Sequence, residues 1–370
     1  IKKEGSDRIV FTLESGNADF PHISADYHIP ILPSTQGKVD IASGIGCGPY
    51  KLVSFEPGVR AKLSKNKNYW KTNRAHFDAI EMVTIPDASA RSNALSNGEI
   101  DAMDRVDLNT ASLLKMNSLL NITSIAGSQH YTFPMLTNIE PFDNADVRMA
   151  LKLSIDREEM VKKVLLGYGS VGNDHPIGSS IPYFAKDLPQ RMYDPDKAKW
   201  HLKQSGFGGL KIDLSTANAA FPGAIDAAVL YKNSAAKSGI NINIKREPND
   251  GYWSNVWNKK PWCACYWNGR PTVDAMFSLA YLPGAAWNDT RWNNSRFVDL
   301  VKSGRAELDE SKRRSIYYEA QELLANDGGT VVPMYANYVF ATNKKINHGK
   351  IASNLDMDGQ KFSERWWFDA

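Results

Sequence analysis

The sequence predicts an α/β chain of two lobes, with α+β as the alternative, on three observations. Strand-like and helix-like patterns alternate along it, each closed by its own Gly, Pro or Asp signal. At 370 residues, 42% hydrophobic and 23% charged, the chain can fill one large or two moderate cores and is neither disordered nor fibrous. No internal repeat or low-complexity linker breaks the alternation.

The elements follow in order. Ile1 opens without an initiator Met and runs almost at once into the strand-like Arg8-Ile9-Val10-Phe11-Thr12-Leu13, so a removed upstream segment is expected. Gly44-Ile45-Gly46-Cys47-Gly48-Pro49 resembles a phosphate loop. However, Pro49 lacks an N–H and Lys51-Leu52-Val53-Ser54-Phe55 alternates, so a glycine turn into a strand over 50–55 is expected instead. Further strands are expected over 79–85, 130–136, 210–214, 240–245, 262–267 and 331–340. Helices are expected over 89–97, stopped by Gly98, and over 143–153. The helix over 156–166 has Asp156 and Glu159 as a capping box and Gly167 as its stop. Asp194 and Pro195 mark the N-cap and first residue of the next, which ends at Gly206; 223–238 and 311–326 follow, closed by Gly239 and Gly328.

Composition excludes several functions. The net charge of +3, from 44 basic and 41 acidic residues without a long like-charge run, argues against nucleic acid or an anionic membrane as partner. No stretch reaches the roughly 18 apolar residues that span a bilayer, and Ile1-Lys2-Lys3-Glu4-Gly5 lacks the apolar core of a signal peptide. Cys47, Cys263 and Cys265 are too few for a disulfide framework and read as small core residues. The seven histidines stand singly, without zinc spacing, so neither metal nor cofactor is expected. No G-x-S-x-G, no ordered Ser/His/Asp set and no assignable carboxylate pair points to a hydrolase.

Six of the ten tryptophans, at 253, 257, 262, 267, 287 and 292, fall within forty residues. Singly such rings fill a core; as a cluster beside the polar turns "WNGRP" and "AWNDTRW" they suggest a stacking wall for a peptide or sugar. Within "PWCACYWNGRPTVDAMF", at 261–277, a strand ends in a Gly/Pro turn carrying Arg270, a place from which scaffolds aim side chains at ligands.

Four ordered blocks, "GCGPYKLVSFEPGVRAKLSKNKNYWK" (46–71), "DASARSNALSNGEID" (87–101), "PFDNADVRMALKLSIDREEMVKKVLLGYG" (141–169) and "YDPDKAKWHLKQSGF" (193–207), resemble the large extracytoplasmic solute-binding proteins of ABC importers, the dipeptide, oligopeptide and nickel binding group. The resemblance runs nearly to the C-terminus but lacks the family's N-terminal portion. It implies a two-lobed periplasmic binding protein fold of the large peptide-binding class, with the chain crossing twice between lobes. Lobe I would be 1–137 plus 338–370 and lobe II 138–337. It also implies a permease pair and ATPase as partners, a monomer, and a periplasmic or lipid-anchored extracellular location.

In similar peptide binders the turn after the equivalent strand carries an aspartate for the peptide's amino terminus, and Arg270 stands at or beside that place. A guanidinium there favours a carboxylate. Trp267, Asn268, Gly269, Thr272 and Asp274 share the turn, and Asp274 is the alternative amine acceptor. Trp287, Asn288 and Asp289 add a stacking face with hydrogen-bonding groups. His130 and Tyr131 lie near a crossover, Asn218 in a loop toward the peptide carboxylate, His175 after a Gly-rich stretch, and Asp104-Arg105 as cleft charges or an internal ion pair. The expected function is delivery of a small, acidic, peptide-like solute to an importer, without enzymatic turnover. An oligosaccharide or opine-like ligand is the alternative, and a chaperone-like or signalling relative is a third class.

Overall fold

The computed structural model describes residues 1–369. They form two compact units: Ile1–Ala25, His130–Met160 and Val171–Met334 make the first, and Asp26–Gln129, Val161–Ser170 and the described residues from Tyr335 onward make the second. Of the five changeovers two fall inside long strands, Leu120–Pro134 and Thr330–Asn343, and the others lie at 25/26, 160/161 and 170/171. Segment 1–25, assigned from sequence to lobe I, is grouped here with 130–160 and 171–334. The Ala18 N–H bonds the Arg305 carbonyl at 2.8 Å, and the Asp19 carboxylate meets Arg313 at 2.7 Å.

The centre of the first unit is a parallel pair, Leu210–Thr216 with Ile240–Arg246, in register from Leu210↔Ile240 to Thr216↔Arg246. Leu210, Ile212 and Leu214 are buried while Lys211 and Asp213 are exposed, the period of two expected of a half-buried strand. The crossover helix Ala224–Ala236 buries Ala224, Ala227, Ala228, Tyr231 and Ala235, a helical stripe of small residues around one large ring. Gly223 and Gly239 bracket it at φ +80° and +79°, conformations that cost other residues more. Residues 262–263 bridge to Met135 and Ser215, and the strand Cys265–Trp267 pairs antiparallel with Leu120–Pro134, placing Trp267 opposite His130.

The helix Glu310–Asp327 shows how charge closes an element. Its last carbonyls, with no intrahelical partners, meet three cations. Lys152 Nζ donates to the carbonyls of Ala325 at 2.9 Å and Gly328 at 2.7 Å, Arg148 to that of Asp327 at 2.9 Å, and Arg191 to that of Ala325 at 3.1 Å. Positive charge at this end also suits the helix dipole. Burial pulls Lys152 down to about 7, with the neighbouring Asp174 carboxylate opposing. Gly328 closes the helix as its C-cap, with φ −59° rather than a left-handed conformation. A Cβ there would lie 2.5 Å from the Leu324 carbonyl oxygen, so its role is close approach.

In the second unit Tyr50–Glu56, Arg60–Lys65 and Ala79–Val83 form an antiparallel meander. The glycine turn does open into a strand: Asn66 fastens it, its N–H on the Pro49 carbonyl and its side chain on that of Gly48. Asp87 caps the helix Ala88–Ser96, which ends before Gly98 at φ +76°. The expected helix over 156–166 is shorter, Arg157–Lys163, because Leu166 and Gly167 take φ +48° and +83°.

All three cysteines are free. Cys263 and Cys265 are buried, but Cys47 is exposed, which corrects its reading as a core residue: its turn packs nothing over it. Burial pushes both inner thiols well up, keeping them protonated. A thiol-reactive chromogen is therefore expected to titrate one thiol in the folded protein and three in denaturant. Three reactive thiols in the folded state would contradict this burial.

Candidate functional site

The tryptophan cluster of the sequence divides in two. Trp262 and Trp292 are core, 1% and 3% exposed, with their N–H groups on the Phe133 carbonyl and Asp327. The other four form a continuous wall in the first unit. Trp257 lies at its centre, with ring centroids 6.0 Å from Trp253, 6.0 Å from Trp267 and 6.3 Å from Trp287; Tyr266 joins through Trp253 at 5.4 Å. These separations suit edge-to-face packing. Trp253 and Trp287 are 41% and 44% exposed, so the wall offers ring surface outward.

Local sequence explains the placement. Strand alternation buries Cys265 and Trp267 and turns Tyr266 out. Gly251, at φ +71°, starts the short helix Tyr252–Asn255, which carries Trp253, and Trp257 follows one turn later. Trp287 sits on a segment fixed by Asn288. That amide donates to the carbonyls of Leu282 and Trp292 and accepts from the Thr290 hydroxyl at 2.9 Å. Asn288 is thus committed to the turn itself. Asp289 lies buried behind the rings, accepting the Trp257 N–H at 2.9 Å. Burial raises its carboxyl to about 6, against hydrogen bonds from Trp257 and Trp267.

The half-buried Arg270 folds back on its own turn, donating to the carbonyls of Asn268 at 2.9 Å and Gly269 at 3.3 Å. Among the described residues no carboxylate pairs with it. Asp274 differs. It is 3% exposed and held by Arg305 at 3.0 and 3.1 Å and by Ser278 at 3.3 Å, so the alternative amine acceptor is already occupied by a protein cation. Thr272 accepts from the Ala275 N–H as N-cap of the helix Val273–Ala280.

Tyr131 stacks on Phe221 at 4.1 Å, and burial pushes its hydroxyl up to about 12. Asn218 is exposed in the loop after Leu210–Thr216. His130 and His175 are fully buried; burial lowers His175 to about 4, His130 adding to the shift and Asp174 opposing it. It is a neutral interior ring at neutral pH. Asp104 and Arg105 belong to the second unit, where they pair with each other at 3.7 Å, Arg105 largely exposed. No group of three metal-ligating side chains occurs among the described residues. The wall thus combines Trp267, Trp287 and Asp289 with Trp253 and Trp257, named from sequence as members of the tryptophan cluster, and with Tyr266, which the sequence did not single out. The signal of Trp253 and Trp257 was their i, i+4 spacing ahead of the strand.

The comparisons with known proteins follow from this geometry. A family model described as bacterial extracellular solute-binding proteins, family 5 middle, matches residues 1–289. The chain is similar to the glutathione-binding protein GsiB of Pectobacterium atrosepticum, 23% identical over 88% of this chain and 65% of that protein. Among solved structures it is similar to the Helicobacter pylori ABC transporter-associated periplasmic binding protein DppA, in complex with peptide STSA, with a TM-score of 0.81 and 24% identity over 97% of this chain and 72% of that one. The binding protein AgaA of A. tumefaciens R10, in complex with agropinic acid, shares the fold at a TM-score of 0.79 and 19% identity, over 97% of this chain and 75% of that one. The chain spans about two thirds of the length of the curated relatives it matches.

Proposed function

This chain belongs to the bacterial extracellular solute-binding proteins of family 5, and we propose that within that family it captures a small, peptide-like solute carrying an acidic group for an ABC importer. The observation that carries the acidic part is Arg270: a guanidinium three residues past Trp267, with no carboxylate for a partner among the described residues. A cation that meets only backbone carbonyls is ready to accept a carboxylate from outside. Two similar proteins support the class. Glutathione, named for one, is a tripeptide with two free carboxylates, and agropinic acid, bound by the other, is itself an acid. An opine-like conjugate is therefore the second reading, favoured by the exposed faces of Trp253 and Trp287.

In this reading Arg270 orients the acidic group, the wall takes the apolar or planar remainder, and Asn218, in its exposed loop, supplies an amide. The solute is released unaltered, since the family consists of binding proteins rather than enzymes. A permease pair and ATPase receive it, and the protein acts as a monomer outside the cytoplasmic membrane, in the periplasm or on a lipid anchor. No helix among the described residues is long and apolar enough to cross a membrane.

The test is calorimetric titration with the dipeptide Ala-Glu and with glutathione. A charge-assisted contact of about 1.5–3 kcal/mol predicts that Arg270→Ala weakens binding roughly 10- to 150-fold. The loss should be much smaller for Ala-Gln. Equal affinity of wild type and variant for Ala-Glu removes Arg270 from the site, and binding of neither acidic probe removes the acidic-solute reading.

A further inference from the structure

Trp257 is the hub of the wall, touching Trp253, Trp267 and Trp287. Its single polar atom is anchored on a carboxylate oxygen with no exposure to water to speak of, 4% for the whole Asp289 residue. Core indoles of this chain are satisfied either way, Trp262 by the Phe133 carbonyl and Trp292 by the Asp327 carboxylate, so what sets Trp257 apart is its contact with the exposed rings. Withdrawing a carboxylate from water costs several kcal/mol unless donors replace it. Resting on the ligand site proposed above, we infer that Asp289 is the positioning residue of that site: as an anion it fixes the rotation of Trp257, and through it the outward faces of Trp253 and Trp287.

Chain connectivity strengthens the coupling. Trp287 and Asp289 are two residues apart on one segment, so the exposed ring and the buried anchor move together. That segment is immobilised by Asn288 and by the Thr137 N–H on the Thr290 carbonyl at 2.7 Å. The charged and titratable groups facing Asp289 are few. Cys263 and Cys265 come from the 262–267 segment, both protonated, and Arg291 from its own turn, spent at 2.6 Å on the Asn288 carbonyl. Among the described residues no buried cation pins the carboxyl in its charged form, and burial brings it to about 6. Protonation removes the charge from the acceptor and weakens the Trp257 hydrogen bond. The wall loosens as pH falls through that value.

The experiment follows near-UV circular dichroism and tryptophan emission of the ligand-free protein from about pH 7.5 to about pH 5, then Ala-Glu affinity at both ends. Wild type should show an indole transition centred near pH 6 and bind Ala-Glu at least about threefold more weakly at the acid end. Asp289→Asn, which accepts a hydrogen bond but does not titrate, should lose the transition and bind with pH-independent affinity. Trp257→Phe keeps the ring and removes the donor, and should likewise flatten the binding profile. An absent transition, one that survives in Asp289→Asn, or a flat wild-type affinity would overturn the inference. Ala-Glu unbound by wild type at either pH instead sinks the acidic-solute reading, and the indole transition then decides the role of Asp289 on its own.

Discussion

Gly172→Ala is expected to destabilise the protein by more than about 3 kcal/mol, or to prevent its accumulation as a folded species, among the largest effects for so small a change. A Cβ at this position would lie 2.0 Å from the Val332 carbonyl oxygen, 2.7 Å from the Val332 carbonyl carbon and 2.8 Å from the Met334 amide nitrogen. All three are backbone atoms of the buried strand Thr330–Asn343, so no side chain can swing aside. Relief means parting Gly172 from that strand, which forfeits the hydrogen bond from its N–H to the Pro333 carbonyl at 2.8 Å and opens a gap in close packing. Gly208→Ala is the matching control. Nothing lies within 4 Å of a Cβ there, and its stability should change by less than about 0.5 kcal/mol. Urea unfolding followed by circular dichroism decides the matter, and a Gly172→Ala midpoint equal to that of Gly208→Ala would refute the packing argument.

Asp174→Ala should cost about 3–5 kcal/mol, because it removes the buried anion that Arg157 and Arg191 share. Asp174 is fully buried and accepts from Arg157 Nη2 at 2.8 and 2.7 Å, from Arg191 Nε at 2.8 Å and from the Val332 N–H at 3.0 Å. Arg157, 3% exposed, is then left in the interior without a counter-ion. Burial alone would raise the Asp174 carboxyl, but Arg157, Arg191 and Lys152 hold it below its ordinary value. The sign of the pH dependence follows. A folded-state value below the unfolded one gives stability that is fully present above the unfolded carboxyl, about 3.9, and is lost as pH falls through the lower folded value. The part of the difference in unfolding free energy between wild type and Asp174→Ala that comes from the Asp174 carboxyl should therefore be lost in strong acid, below the range in which Lys152, held up by Asp174, titrates near 7. A difference still undiminished at the acid end would contradict it.

Much of this was legible in the sequence wherever a local signal sufficed. The caps at Asp87 and Asp194, the glycines at 98 and 239, and the period-two strands at 210 and 240 are written within a few residues of the elements they shape. The helix Ser295–Ala306 was equally writable, since Asn294 accepts the Phe297 N–H as an N-cap, but the asparagine-rich run before it reads as loop. The strand over 130–136 proved to be Leu120–Pro134 because its first half carries polar residues that do not alternate cleanly. Long-range partners left no local trace. The Asp274 to Arg305 pair spans 31 residues and the Trp257 to Asp289 bond spans 32, and each commits a carboxylate to a partner inside the protein. The turn at Arg270 is marked in the sequence by its Gly and Pro; that no carboxylate among the described residues answers it is a matter of three-dimensional placement.

The unequal burial of the three thiols has a practical corollary. A maleimide dye or a nitroxide spin label would find a single address, Cys47, without any mutagenesis. The tag would sit on the second unit and leave the four-indole wall of the first untouched, so one sample carries a native and an attached reporter.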